Sequence, residues 1–195
     1  MLEQRAFRNI LGHFATGVAL ITAQTPKGPV GLAVNSFTSV SLNPPLVALC
    51  AAHTSTTWPA IRASGGFAVT ILGERQAELC HTFSVRAADR FSGQDWALSH
   101  SGHPLADDGL AWLDCRISQV HAAGDHDLVI AEVTAGALRG QTGPLVFHAG
   151  RFTRLMPTAL QLSPRRFSGR SKGRRDISRS PAAMLVWPAA RSCGE

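Results

Sequence analysis

Gly31-Leu32-Ala33-Val34-Asn35-Ser36-Phe37-Thr38-Ser39-Val40-Ser41-Leu42-Asn43-Pro44-Pro45-Leu46-Val47-Ala48-Leu49-Cys50-Ala51-Ala52-His53-Thr54-Ser55 sets a polar centre between two apolar flanks. The flanks, 30–35 and 46–50, are short and β-prone, and Asn43-Pro44-Pro45 punctuates the space between them. Small hydroxyl and amide side chains collect from Asn35 to Ser41, and His53-Thr54-Ser55 adds more beyond the second flank. Strands that frame many short hydrogen-bonding groups make a cradle for one flat ligand with polar edges.

Outward from this stretch the β pattern recurs. Runs at 18–22, 67–72, 110–120, 128–133 and 145–152 are separated by turn signals, and Leu113, Cys115 and Ile117 alternate with Asp114, Arg116 and Ser118 as in a strand with one buried face. Phe7, Ile10, Leu11 and Phe14 fall at helical spacing, which predicts an N-terminal amphipathic helix ending near Gly17 and covering an open sheet edge. Two short helices are expected at 57–64, with Thr57 as N-cap and Pro59 in the first turn, and at 74–83. Six or more strands with few helices predict a mainly β fold closed into a barrel, because closure removes exposed edges.

A chain of 195 residues has the length of one domain that buries a core without staples. The net charge of +6 invites a nucleic-acid reading, but residues 1–156 carry eleven Lys/Arg and eleven Asp/Glu, so all of the excess lies in 157–195. Rich in Arg, Ser, Gly and Pro, that basic tail is expected to be disordered. It reads as an electrostatic arm or, more simply, as a dispensable extension. The neutral domain argues against nucleic acid as a partner. Cys50, Cys80, Cys115 and Cys193 show no C-x-x-C spacing, and the eight histidines show no H-x-x-x-H or H-E-x-x-H pattern, so neither a disulfide framework nor a metal site is expected. No apolar run approaches the roughly 20 residues that span a bilayer, and the N-terminus does not read as a signal peptide, which predicts a cytoplasmic protein with no membrane contact.

The polar groups match a particular chemistry. An FMN-like ligand needs donors for a phosphate and mixed donors and acceptors around its ring edge, and Asn35, Ser36, Thr38 and Ser39 suit the ring and ribityl chain. Alone, the same run is more often an ordinary turn with local hydrogen bonds. Ser55 and Thr57 precede a predicted helix start that favours phosphate, or cap that helix. Arg90, in Asp89-Arg90-Phe91, offers the charge that hydroxyls lack, or is a solvated surface residue. His126, in Gly124-Asp125-His126-Asp127, is expected at a strand tip. The chain has no G-x-G-x-x-G fingerprint and no Walker A loop, so a nicotinamide cofactor would have to bind on the flavin face itself. There is no G-x-S-x-G elbow either.

Taken together, Phe7-Arg8-Asn9-Ile10-Leu11-Gly12-His13-Phe14-Ala15-Thr16-Gly17-Val18, the segment from Asn35 to Val47, Ser55-Thr56-Thr57-Trp58, Asp89-Arg90-Phe91, Cys115-Arg116 and Gly124-Asp125-His126 closely resemble the flavin reductase-like, FMN-binding split-barrel family. That family includes the reductase components of two-component flavin-dependent monooxygenases. The resemblance runs from about Phe7 to Leu155 and stops before the tail. It implies a Greek-key split β-barrel over 1–156 with an N-terminal helix and short peripheral helices, acting as a homodimer with FMN or FAD near the subunit interface and NADH or NADPH as co-substrate. By the same analogy Asn35, Ser36, Phe37, Thr38, Ser39 and Val40 contact the isoalloxazine and ribityl, and Cys50 and Ala51 line the site through backbone. Ser55, Thr56 and Thr57 with Arg90 hold the phosphate, Phe152 flanks the ring, and His126 meets the nicotinamide. Asn43 stands where many relatives have Asp, a difference that touches affinity more than reaction type. The expected activity is hydride transfer from NAD(P)H to flavin that feeds a partner monooxygenase. A flavin- or haem-binding barrel without turnover is the alternative.

Overall fold

The computed structural model describes residues 2–85, 89–93, 95–140 and 142–155. The basic tail expected at 157–195 lies outside the described residues. In chain order the elements are α1 (Gln4–Gly12), β1 (Thr16–Gly17), β2 (Ala19–Thr25), β3 (Gly28–Val34), β4 (Thr38–Leu42), β5 (Pro45–Ala52), α2 (Trp58–Ser64), β6 (Gly66–Ile71), α3 (Ala77–Ser84), β7 (Trp96–Leu98), β8 (Pro104–Ala106), β9 (Ala111–Ala123), β10 (His126–Leu138), β11 (Val146–His148) and β12 (Arg151–Thr153).

Seven strands form one antiparallel sheet in the order β3-β2-β6-β9-β10-β5-β4. Each strand pair closes on a short turn where the chain allows it: β2 with β3, β4 with β5, β9 with β10. The long β9–β10 hairpin inserts between β6 and β5, so the chain from β5 through α2 to β6 crosses over it. β1, β11 and β12 form a small second sheet, and β7 pairs with β8.

The sheet is split rather than closed, which corrects the expectation of a closed barrel. Among the described residues no ladder joins β3 to β4. The outer edge of β3 is occupied otherwise: a Cβ at Gly31 would stand 2.8 Å from Cε1 of Phe83 in α3, and the Gly31 carbonyl accepts from Arg90. β4 is short and its register slips between Ser39 and Ser41, which weakens it as a pairing edge.

Burial on both faces of β2 explains its near-continuous apolar run. Ala19, Ile21 and Ala23 point into the main core with Leu49, Trp58, Ile61, Phe67, Val69 and Val129, while Val18, ahead of the strand, and Leu20 join Leu72, Cys80, Phe83, Ala106 and Leu145 in a second cluster beneath α3. β10 alternates instead, with Asp127, Val129 and Ala131 buried and His126, Leu128 and Ile130 less so. α2 packs Trp58 and Ile61 into the core, which fixes where the segment before it must lie.

Several sequence expectations change. α1 is shorter than expected and buries none of its residues, leaving Phe7, Ile10 and Leu11 exposed, while its end meets the turn between β11 and β12, where the Ala149 N–H bonds the Gly12 carbonyl. α3 starts at Ala77 rather than 74, because Gln76 turns its side chain back to the Gly73 N–H and the Asp107 carbonyl. The stretch from Thr38 to Leu42, read as part of a polar turn, is strand β4. Asp114, assigned to the outer face of its strand, is fully buried: Ser99 Oγ donates to its Oδ1 at 2.9 Å and the Ser101 N–H to its Oδ2 at 2.8 Å. A carboxylate supplied with its own donors is tolerated inside.

Candidate active site

Local chemistry, more than the strands themselves, shapes the segment leading into α2. The Ser55 N–H bonds the Ala52 carbonyl, turning the chain out of β5, and Ser55 Oγ then accepts from the backbone N–H groups of Thr57 at 3.3 Å and Trp58 at 3.1 Å. Ser55 is therefore the residue whose side chain caps α2; Thr57 stands at the N-cap position without a side-chain cap bond, which corrects its expected role. These N–H groups are satisfied within the chain, so the anion-binding potential here rests on side chains. Thr57 uses its hydroxyl differently, accepting from Arg90 Nη1 at 3.4 Å.

Arg90 is held by the tight turn that carries it. Asp89 Oδ1 accepts from the N–H groups of Phe91 and Ser92, and the Phe91 ring sits in an aromatic trio with Phe83, at 5.1 Å, and Trp96, at 4.7 Å. From this anchor Nη1 reaches the Gly31 carbonyl at 3.1 Å. Nε is buried and has no hydrogen-bond partner among the described residues. An unsatisfied buried guanidinium N–H is costly, and a bound anion would relieve it.

His126 opens β10 directly after the Gly124 turn, where it pairs with Ala52 of β5 on one side and Ala123 of β9 on the other. Its Nδ1 lies 2.7 Å from Asp125 Oδ1, an interaction that holds the Asp125 carboxyl below its ordinary range. The adjacent Asp127 points the other way. Its Oδ2 accepts from Trp58 Nε1 at 2.8 Å and its Oδ1 pairs with His53 Nε2 at 3.0 Å, and these two bonds hold its carboxyl below the usual range.

A cavity of about 360 Å³ brings half of the expected residues together. Cys50, Ala51, Ser55, Thr56, Thr57, Arg90 and His126 line it. An adjoining cavity of about 140 Å³ is lined by Asn35 and Phe152, and the two share Ala33, Val34 and Ser84. Ser36 lines neither cavity; its Oγ accepts from the Cys50 N–H at 3.0 Å and donates to the Cys50 carbonyl at 3.2 Å, bracing the strand that forms the floor. Phe37 packs against the core. Thr38, Ser39 and Val40 lie exposed on β4 and line neither cavity.

Sequence reading missed three contributors: Phe83, Ser84 and Val85, at the end of α3, line the larger cavity. The signal was Gly31, whose missing side chain makes room for the Phe83 ring, but nothing in the sequence says which aromatic fills that space. The set suits a phosphorylated flavin: hydroxyls and an arginine with a spare buried N–H for the phosphate, apolar walls for a flat ring, and backbone of β3 and β5 along its edge. Among the described residues no three His, Cys, Asp or Glu side chains gather to hold a metal, and no helix is long and apolar enough to cross a membrane.

Comparison with known proteins points the same way. The flavin reductase like domain matches residues 11–156. A flavin reductase from Pseudomonas putida is 41% identical over 152 residues, covering 77% of this chain and 89% of the relative. The reductase subunit of a flavin-dependent monooxygenase from Rhodococcus jostii is 40% identical over 156 residues, covering 80% of each. Among solved structures, the NADH:FAD oxidoreductase of Streptomyces globisporus, in complex with NAD and FAD fragments, superposes with a TM-score of 0.77 at 34% identity, covering 80% of this chain and 95% of that one.

Proposed function

Since the chain belongs to the flavin reductase like domain family, matched from residue 11 to 156, we propose that it is an NADH-dependent flavin reductase that supplies reduced flavin to a partner monooxygenase. One observation carries the reading. Ser55, Thr56, Thr57, Arg90 and His126 line a single cavity floored by β5. FMN or FAD held there would supply the acceptor for a hydride from the reduced nicotinamide.

Such a transfer needs no acid–base residue to begin; it needs two rings held with their reacting atoms about 3–3.5 Å apart, so the protein acts by placement. Arg90 and Thr57 anchor the phosphate, Asn35 and the backbone from 33 to 36 meet the ring edge, and Phe152 closes over it. His126, oriented by Asp125, meets the nicotinamide. Thr38, Ser39 and Val40 serve from β4, beside the second subunit of a homodimer. Large apolar side chains left exposed on β4 and on or just beyond α1, among them Leu42 at 61% and Phe14 at 76%, support that assembly. The cytoplasm, where reduced nicotinamide is made, is its place of action.

Purified protein given NADH or NADPH with FMN, FAD or riboflavin is expected to consume the nicotinamide, read as falling absorbance at its near-ultraviolet band. Replacing His126 by Ala is expected to raise the KM for NADH about tenfold, the worth of one charge-assisted contact, with flavin affinity nearly unchanged. A protein that binds a chromophore and oxidises neither nicotinamide overturns the reading.

A further inference from the structure

Asp127 is a carboxylate on the core-facing side of a strand. It shares that face of β10 with Val129 and Ala131, and only 8% of it is exposed. Position and pattern call for an apolar residue there, yet the carboxylate has three donors, all from one segment of chain: His53 Nε2 at 3.0 Å on Oδ1, and Trp58 Nε1 at 2.8 Å and Arg62 Nη1 at 3.5 Å on Oδ2. That segment carries the phosphate-side hydroxyls. Trp58 also gives its backbone N–H to Ser55 Oγ, and its neighbour Thr57 accepts from Arg90. On the other side, Asp127 follows His126 directly and their side chains leave opposite faces of the strand.

We propose that Asp127 is a positioning residue that fastens the turn bearing Ser55, Thr56 and Thr57 to the strand bearing His126, so that the flavin phosphate and the nicotinamide are held at a fixed separation. This role rests on the reductase reading above. Backbone bonds hold the start of the turn, the Ser55 N–H to the Ala52 carbonyl and the His53 N–H to the Asp125 carbonyl, and the Asp127 carboxylate carries the fastening on to Trp58, the first residue of α2. The buried Trp58 indole, deprived of its acceptor, would have to shift to find another, and the Ser55 cap would move with it. A ring pair misplaced by a fraction of an ångström loses the alignment on which hydride transfer depends.

Three variants test it: Asp127→Ala, which removes the acceptor; Trp58→Phe, which removes the indole donor and keeps most of the packing; and Asp127→Asn, whose amide still accepts from Trp58. Three readouts are taken. Amide hydrogen exchange on ligand-free protein is expected to quicken over 53–58 in Asp127→Ala and Trp58→Phe, while β2 and β6 keep their protection. Steady-state kinetics is expected to show kcat falling about tenfold, as misaligned rings require, and binding titration to show the Kd for FMN rising about tenfold as the phosphate-side turn shifts. The double variant should cost no more than the worse single one, and Asp127→Asn should restore both constants to within about threefold of wild type. Unchanged exchange, constants within twofold of wild type in Asp127→Ala, or full additivity in the double variant would each overturn the proposal. Wild-type protein that oxidises no NADH overturns the reductase reading instead, and the exchange data then decide the fastening by themselves.

Discussion

Arg90 shows how one side chain is prepared before its ligand arrives. Its turn is closed by Asp89, its neighbour Phe91 is locked among aromatic rings, and two of its contacts are made, yet among the described residues Nε is buried and has no hydrogen-bond partner. Such pre-organisation leaves little entropy to lose on binding, and the unpaired N–H makes the free state less favourable than the bound one. Replacement of Arg90 by Ala is therefore expected to weaken FMN about 10- to 100-fold, the range for charge-assisted hydrogen bonds, and to leave riboflavin, which has no phosphate, within about twofold. Titration of flavin fluorescence with both ligands checks it; equal losses would move Arg90 away from the phosphate. Sequence reading found Arg90 and the hydroxyls but could not divide the labour among them. Ser55 and Thr57 look alike as candidate caps, and only the course of the chain after Ala52 puts the Ser55 oxygen beneath the helix and the Thr57 oxygen beside Arg90.

Strands, at the next scale, explain why parts of the fold were legible and others hidden. β2, β5 and β6 are apolar runs whose burial follows from composition, and their presence was readable. β4 was not, because Thr38 and Ser39 stand exposed and Ser41 half-buried on an edge with one bulge, a pattern that a turn shares. Asp114 was misread for the opposite reason: alternation along β9 puts it outside, whereas Ser99 and the Ser101 N–H come from distant chain to pair it within. The same strand geometry sorts the cysteines. On β5, Cys50 faces the cavity and is exposed, while Cys115 on β9 is buried beside Asp114, and burial with that carboxylate pushes its thiol up to about 12. Only the thiolate reacts, so iodoacetamide at neutral pH is expected to modify Cys50 well before Cys115, with Cys80 also protected by burial. Saturating FMN should slow the Cys50 reaction several-fold. Peptide mass mapping reads both results, and modification of Cys50 at the same rate with and without FMN would put the flavin elsewhere.

At the largest scale, the described residues expose apolar surface unevenly, which supports the second copy proposed above. Phe7, Ile10, Leu11 and Phe14 on and just beyond α1 are each at least half exposed, and no residue of that helix is buried. Contiguous apolar surface on a monomer generally marks an interface. Light scattering is expected to give twice the chain mass, and Ile10→Glu with Phe14→Glu to shift the protein toward the monomer; a wild-type monomer would end the dimer assignment. Charge is as uneven as apolarity. Residues 1–156 are electrically neutral, whereas 157–195 hold the entire +6, and the family match ends at 156. Recognition of flavin, nicotinamide and second subunit is assigned wholly to the neutral part, so a chain ending at Pro157 is expected to keep its NADH and FMN kinetics within about twofold, the scatter of an uninvolved surface change. Any binding of the full chain to DNA or anionic vesicles should weaken steeply with salt and vanish in the shortened form, because counterion release follows the cationic residues removed. Should the shortened protein lose its turnover while remaining folded, the basic segment would belong to the catalytic unit, and the boundary at 156 would have to move.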